Sequence, residues 1–193
     1  RTLADANALR DDITPGSRFV VIGAGFIGLE AAATAAQMGA MVEQKHMDRV
    51  LDYIAIGQKE GARLALGGKQ IMQNTGGFYI EPTIFDHVDN RMTIAREEIF
   101  GPVLSAISFK TPEDALRIAN DSLYGLEANL WTNDLTKAHR MARALRAGTV
   151  TVNTRDGGGI EVPFGGYKQS GFGRDKSLHA LEKYTQLKTT YIN

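Results

Sequence analysis

The alternation of short apolar runs with amphipathic stretches in the last third of the chain most restricts its fold. Apolar runs at 128–131 and 149–153 predict two strands, and the pattern at 135–145 between them predicts a helix. Short connections join the three segments. Such an alternation favours a parallel sheet with helices on both faces, so the sequence predicts an α/β fold.

The same alternation is expected upstream. The pattern predicts a helix at 47–59 and strands at 62–66, 78–85 and 103–109. A further helix should begin at Thr111-Pro112-Glu113-Asp114, since a capping threonine, a first-turn proline and two acids suit a helix N-terminus. A chain of 193 residues is long enough for one good core, so we expect one compact body.

Charge and hydropathy limit the partners of the chain. Its 22 basic and 22 acidic residues give a formal charge of zero, so nothing points to nucleic acid or to an acidic membrane surface. No run of about eighteen apolar residues exists, and residues 1–12 lack the apolar middle of a signal peptide. We expect a cytoplasmic protein that binds small molecules or other protein chains, with no nucleic acid and no membrane.

Cysteine is absent from the chain, and histidine is scattered. The absence of cysteine excludes disulfides, thiolate metal sites and a cysteine nucleophile. The four histidines do not have the spacing of metal ligands, so no metal site is predicted; they are His46, His87, His139 and His179.

The segment Arg96-Glu97-Glu98-Ile99-Phe100-Gly101-Pro102-Val103 predicts an ordered loop at a functional site. Two adjacent carboxylates, a large aromatic residue and Gly-Pro suit neither a helix nor a strand. The loop would bring Glu98 and Phe100 to one place and then enter the predicted strand at 103–109. The alternative is a charged surface loop with one anchoring aromatic residue.

This loop resembles one in the aldehyde dehydrogenase superfamily, whose members carry Glu-Glu-Ile-Phe-Gly-Pro-Val just before a strand. The resemblance implies that Glu98 holds a ribose of the nicotinamide cofactor and that Phe100 lies beside the nicotinamide. The implied cofactor is NAD or NADP. The implied reaction is the oxidation of an aldehyde to a carboxylate.

Further motifs extend the resemblance over residues 41–193. They include Phe78-Tyr79-Ile80-Glu81-Pro82-Thr83-Ile84-Phe85 and the glycine-rich string from Pro163 to Arg174. The resemblance implies that Phe164 lines the aldehyde tunnel, ahead of a helix at 177–184. It also implies that residues 185–192 form an oligomerisation strand, so expected partners are further copies or other aldehyde dehydrogenase-like chains. The string GRDKSLHALEKYTQLKT is most similar to the branch acting on aminobutyraldehydes.

Residues 1–40 show a different pattern, a short strand at 19–22 followed by a glycine-rich turn and a helix at 29–38. Gly23 would permit the tight turn, Gly25 the approach of a pyrophosphate, and Gly28 close packing of the helix. The segment resembles the NAD-binding βα unit of flavoprotein ferredoxin reductases. The acidic residue expected about twenty positions later is missing. Dinucleotide binding and plain helix packing thus both stay open, and FAD is not expected.

The catalytic residues of aldehyde dehydrogenases are missing from this sequence. The family needs a cysteine thiolate and a glutamate base, and an alignment through Gly16-Ser17-Arg18 puts Ile13 at the position of the cysteine. We therefore expect a fragment or chimera, joined near residue 40, that has no catalytic residues and no activity alone. The alternatives are a non-catalytic assembly module that uses the C-terminal strand, and a flavin or dinucleotide binder that uses the glycine-rich turn.

Overall fold

The computed structural model describes the backbone of residues 19–22 and residues 39–154 and 158–193. The chain divides into two compact units, residues 1–118 and 119–193. The sequence predicts one compact body, and nothing in it indicates a division near residue 118. The domain boundary predicted near residue 40 remains a prediction.

Among its described residues, the first unit contains six strands, two α-helices and a short 3₁₀ helix at Gln73–Thr75. A third α-helix begins in this unit and ends at Asn120, two residues past the boundary. These elements are β1 Phe19–Ile22, α1 Gln44–Lys59, β2 Arg63–Leu66, β3 Gln70–Ile71, β4 Tyr79–Ile80, β5 Thr83–Asp86, α2 Thr93–Arg96, β6 Val103–Ser108 and α3 Pro112–Asn120. Most lie within three residues of a predicted element. The predicted strand at 78–85 is divided into β4 and β5 at Pro82, which has no amide hydrogen to donate.

The main sheet of the first unit is mixed, in the order β1-β6-β5-β2. Only β5 and β6 run parallel among its described pairs, whereas β1 with β6 and β2 with β5 run antiparallel. The sheet thus contains the parallel pairing that the sequence predicts for β5 and β6, and it adds an antiparallel strand on each side of that pair. A parallel pair needs a crossover, and the chain makes one through α2 between β5 and β6. Between β2 and β5 it turns back through the β3–β4 hairpin, which reverses the strand direction.

The core of the first unit lies between α1 and this sheet. The buried face of α1 carries Met47, Val50 and Ile54, at the spacing of one helical face. Phe85 of β5 is completely buried in the same cluster. A side chain at Gly57 would meet Ile94 at 2.9 Å. Glycine thus allows α1 to lie directly against α2.

The second unit contains a strand–helix–strand unit and a short antiparallel strand pair among its described residues. Its elements are β7 Tyr124–Gly125, β8 Glu127–Leu130, α4 Leu135–Ala144, β9 Thr149–Val152, β10 Tyr167–Lys168 and a 3₁₀ helix at Leu178–Lys183. β8 and β9 pair in parallel and α4 packs against both, as predicted. Asp134 caps α4 by accepting a hydrogen bond from the Lys137 amide at 2.9 Å, which lowers the pKa of Asp134.

The C-terminal residues differ from the prediction. The segment 185–193 has no regular structure, and the helix expected at 177–184 is the shorter 3₁₀ helix. Leu187, Tyr191 and Ile192 are at least 90% exposed. A strand is defined by hydrogen bonds to a neighbour, and this segment has no strand beside it among the described residues. Across the described ranges, no helix is both long and apolar enough to cross a membrane.

Candidate functional site

The loop at 97–101 joins α2 to β6 and presents two of the predicted site residues. Ile99 is buried in the core and fixes the centre of the loop. Phe100 is 71% exposed, and Glu98 is half-buried. Within the described part of the chain, the Glu98 carboxylate has no hydrogen-bond or ion-pair partner. The structure thus places Glu98 and Phe100 in one ordered loop, while their binding roles remain predictions.

The backbone of Phe100 has an unfavourable conformation that a histidine supports. Its φ of 58° lies in the left-handed region, which costs a bulky residue about 1–3 kcal/mol. His46 lies with Nε2 2.7 Å from the Phe100 carbonyl oxygen, so Nε2 carries the proton and donates. A hydrogen bond of this kind contributes about 0.5–1.5 kcal/mol. His46 therefore offsets a sizeable part of the backbone cost.

A tyrosine of the same helix holds the other end of the loop. The Tyr53 hydroxyl donates to the Glu97 carboxylate at 2.7 Å, and Tyr53 is only 8% exposed. The Arg49 guanidinium lies 5.6 Å from the centre of the Tyr53 ring and 3.5 Å from its hydroxyl. The hydrogen bond to Tyr53 is the largest cause that raises the pKa of Arg49. Glu97 is thus held by a buried phenol beside a cation.

The C-terminal end of the loop is anchored by backbone packing. A side chain at Gly101 would lie 2.7 Å from a methyl carbon of Val50, so this glycine lets the loop touch α1. The Pro102 carbonyl accepts a hydrogen bond from the Thr83 amide at 2.8 Å. The loop therefore enters β6 with little freedom.

Sequence reasoning did not identify His46 and Tyr53 as partners of the loop. Arg49 and Tyr53 follow His46 by three and seven residues on α1, so the three side chains lie on one side of the helix. The sequence does show that these side chains recur beside the apolar face of the helix, which is a signal that they contact a neighbouring segment. The sequence alone does not show which distant loop they contact.

The glycine-rich segment that contains Phe164 lies in the second unit. Phe164 exchanges two backbone hydrogen bonds with Asp175, at 2.8 and 2.7 Å, which closes the segment on itself. The Lys176 ammonium lies 5.6 Å from the centre of the Phe164 ring, and Lys183 pairs with Asp175 at 2.6 Å. Phe164 is half-buried. Its predicted place in an aldehyde tunnel remains a prediction.

Lys168 fixes the turn at 120–126 to the glycine-rich segment. Its ammonium donates to the carbonyls of Asn120 and Ser122, both at 2.9 Å. Burial is the first cause that lowers the pKa of Lys168, and the charge of Arg146 adds to it, while Asp121 acts in the opposite direction. Two of the three N–H donors of this lysine thus hold the turn in place.

The remaining predicted residues lie outside the described part of the chain. They are Gly23, Gly25, Gly28 and Ile13, so the glycine-rich turn stays a prediction. The strand before the turn is β1, whose neighbour in the sheet is the antiparallel β6. A dinucleotide-binding βαβ unit would pair this strand in parallel. Among the described residues, no group of three or more acidic or histidine side chains could hold a metal ion.

Comparison with known proteins identifies the family. The aldehyde dehydrogenase family model matches residues 27–190. This match begins inside the segment that resembles a ferredoxin reductase. The NADP/NAD-dependent aldehyde dehydrogenase PuuC of Escherichia coli K12 is 52% identical over 160 residues, covering 82% of this chain and 31% of that protein.

Solved structures agree with the family match. The indole-3-acetaldehyde dehydrogenase AldA of P. syringae, in complex with NAD+, is 63% identical with a TM-score of 0.76, covering 79% of this chain and 31% of that one. The γ-glutamyl-γ-aminobutyraldehyde dehydrogenase of Burkholderia cenocepacia is 58% identical with a TM-score of 0.74, covering 78% and 30%.

The extent of these matches settles the fold class and the relationship. The predicted α/β fold of the aldehyde dehydrogenase catalytic domain is confirmed by these structural neighbours. The chain spans about a third of the length of the curated relatives it matches. The family model covers most of the chain, and this chain belongs to the aldehyde dehydrogenase family.

Proposed function

We propose that this chain forms part of an NAD(P)-dependent aldehyde dehydrogenase and supplies the loop that faces the nicotinamide end of the cofactor. The observation that carries the proposal is the pair in the 97–101 loop: a half-buried Glu98 carboxylate without a partner in the described residues, beside an exposed and fixed Phe100. Relatives that use NAD or NADP support the choice of cofactor.

The described residues fit one end of such a cofactor. A carboxylate accepts hydrogen bonds from neighbouring ribose hydroxyls, and a half-buried one is partly relieved of competing water. An exposed aromatic ring offers a flat apolar face to a nicotinamide ring. When bound, the nicotinamide accepts the hydride removed from the aldehyde. In this proposal Glu98 and Phe100 bind and orient that group, while Phe164 contacts the aldehyde.

We also propose that the 193-residue chain has no activity by itself. The reaction requires a cysteine thiolate to attack the aldehyde carbonyl, and this chain contains no cysteine. One carboxylate and one aromatic ring should not hold NAD+ more tightly than roughly millimolar. An aminobutyraldehyde substrate remains a prediction, because relatives of similar identity are named for chemically different aldehydes.

The test is a titration of the isotope-labelled full chain with NAD+, followed through backbone amide NMR signals. We expect the amides of Glu98 and Phe100 to shift with a midpoint in the millimolar range. Glu98→Gln should weaken the response several-fold because it removes the charge that favours the ribose hydroxyls. Glu43→Gln, an exposed acid at the start of α1, is the matched control. An unshifted loop, or equal responses of both variants, would exclude the proposed site.

A second proposal concerns the origin of residues 1–40. The glycine-rich motif supports a ferredoxin reductase-like origin for this segment, joined near residue 40 to the rest. A foreign segment should pack less well than the one it replaces. Exchanging residues 1–40 for the matching segment of the Escherichia coli relative should then raise the unfolding temperature by about 4 °C or more. An unchanged or lower temperature would argue against a chimera.

The alternative of an assembly module is favoured by the exposed apolar side chains at the C-terminus. Leu187 is 107% exposed and Tyr191 is 90% exposed, so both are free to be covered by another chain. An extended segment can add to the edge of a sheet and bury such side chains. In this proposal, residues 185–192 join copies of the chain or other aldehyde dehydrogenase-like chains.

A further inference from the structure

We infer that Tyr53 and His46 are positioning residues, through which α1 holds the 97–101 loop in its binding conformation before a cofactor arrives. The inference rests on the proposed function of Glu98 and Phe100 and identifies what keeps them in place. Tyr53 and His46 both lie on α1 and contact the loop directly. They act on the residues immediately before Glu98 and at Phe100.

The two contacts enclose the part of the loop that carries the binding groups. Tyr53 donates to the Glu97 carboxylate at 2.7 Å, and His46 donates to the Phe100 carbonyl at 2.7 Å. Glu98 therefore lies between two fixed points. Both donors belong to α1, a 16-residue helix whose apolar face lies in the core. The loop thus takes its position from one of the best-packed elements of the first unit.

Burial makes the contact of Tyr53 hard to replace by water. Tyr53 is 8% exposed, and its hydrogen bond to the exposed Glu97 is partly buried. The phenol would lose a hydrogen bond if Glu97 moved away, which opposes opening of the loop. Glu97 in turn cannot rotate outward without giving up this donor. The arrangement links the conformation of the loop to the core.

The contact of His46 acts on the backbone conformation of Phe100. A phenylalanine at φ 58° leaves the left-handed region unless its surroundings hold it there. Rotation of this residue would turn its carbonyl away from His46 and its ring away from its present place. The two rings also lie close, with centroids 6.4 Å apart. Loss of the His46 donor should therefore release Phe100, while loss of the Tyr53 hydroxyl should release the Glu97 side.

Backbone NMR relaxation of the full 193-residue chain tests the inference without any ligand. In the wild type, we expect order parameters for residues 98–101 near the rigid value of about 0.85. Tyr53→Phe removes only the hydroxyl and should lower them toward about 0.6. His46→Ala should do the same, and His46→Gln should restore part of the order because its amide can donate. Tyr79→Phe removes a tyrosine hydroxyl elsewhere in the unit and serves as the control.

A titration with NAD+ then connects loop order to binding. If the binding conformation becomes less populated, the apparent Kd rises in proportion, by about three- to tenfold in Tyr53→Phe. The unfolding temperature of each variant separates this effect from general loss of structure. Order parameters in Tyr53→Phe and His46→Ala equal to those of Tyr79→Phe would overturn the inference. A loop that loosens as expected in a chain whose wild type shows no response to NAD+ would instead overturn the proposed function.

Discussion

Replacing Gly101 by alanine tests how closely the 97–101 loop is packed against α1. A Cβ at this position would lie 2.7 and 2.8 Å from two methyl carbons of Val50. Val50 is fully buried, and a β-branched side chain in a helix has one strongly preferred rotamer, so it cannot turn away. Overpacking of this kind should lower the free energy of unfolding by about 1–3 kcal/mol.

The same geometry predicts a compensating change. Val50→Ala alone should cost about 1.6 kcal/mol for two lost carbon atoms, together with a term for the cavity that remains. In the double variant, the methyl group added at 101 occupies the space vacated at 50. The double variant should therefore lose at least about 1 kcal/mol less than the sum of the single changes.

The measurement has to report the free energy of unfolding of the first unit. Trp131, the single tryptophan of the chain, lies in the second unit, so its fluorescence is unsuitable. Hydrogen exchange of α1 and β6 peptides at increasing urea concentration gives the required free energies. Val88→Ala, another buried valine, combined with Gly101→Ala is the additive control. If the free-energy loss of the Val50 double variant equals the sum of its two single losses, as in this control, the close packing at Gly101 is refuted.

The remaining predictions concern activity, assembly and pH. The purified chain should reduce neither NAD+ nor NADP+ with propanal or an aminoaldehyde, because it has no cysteine; turnover above a boiled control would disprove this. Deleting residues 185–193 should reduce the number of chains per particle, as measured from the molar mass by light scattering. A full-length chain that is already a monomer, or an unchanged number of chains, would count against assembly through this segment. The hydrogen bond from Arg63 is the largest cause that lowers the pKa of Asp86 from its ordinary 3.8, so this pair stabilises the fold above that pH and the benefit is lost as the pH falls through the lowered pKa. Asp86→Asn should therefore cost about 0.5–1 kcal/mol near neutral pH and nothing in strong acid, and an equal loss at both would contradict the reasoning.

The elements that sequence reasoning located well are those determined by local signals. The helix at Leu135–Ala144 has an apolar period and an aspartate cap, and both can be seen within a dozen residues. The flanking strands have short apolar runs with turn residues around them. The same holds for the 97–101 loop, where Gly101 and Pro102 exclude regular structure.

Local signals do not predict contacts between residues that are far apart in the chain. The direction of strand pairing depends on how the connections run, and the β3–β4 hairpin makes the pairing of β2 and β5 antiparallel. The partners of the loop are 44 and 54 residues away in the chain, at Tyr53 and His46. Residues 185–192 alternate like a strand, yet alternation supplies no neighbour to bond with. Each of these outcomes depends on residues that a short window does not contain.

The antiparallel pairing of β1 with β6 has a consequence for the order in which the chain folds. Phe19 pairs with Ser108, so the edge strand closes against a partner made some eighty to ninety residues later. At a synthesis rate of roughly 5–20 residues per second, β1 waits several seconds for that partner. By then β2 and β5 have emerged and can already form their own pair. Among the four strands of this sheet, β1 is thus the first to be synthesised and the last to find its partner.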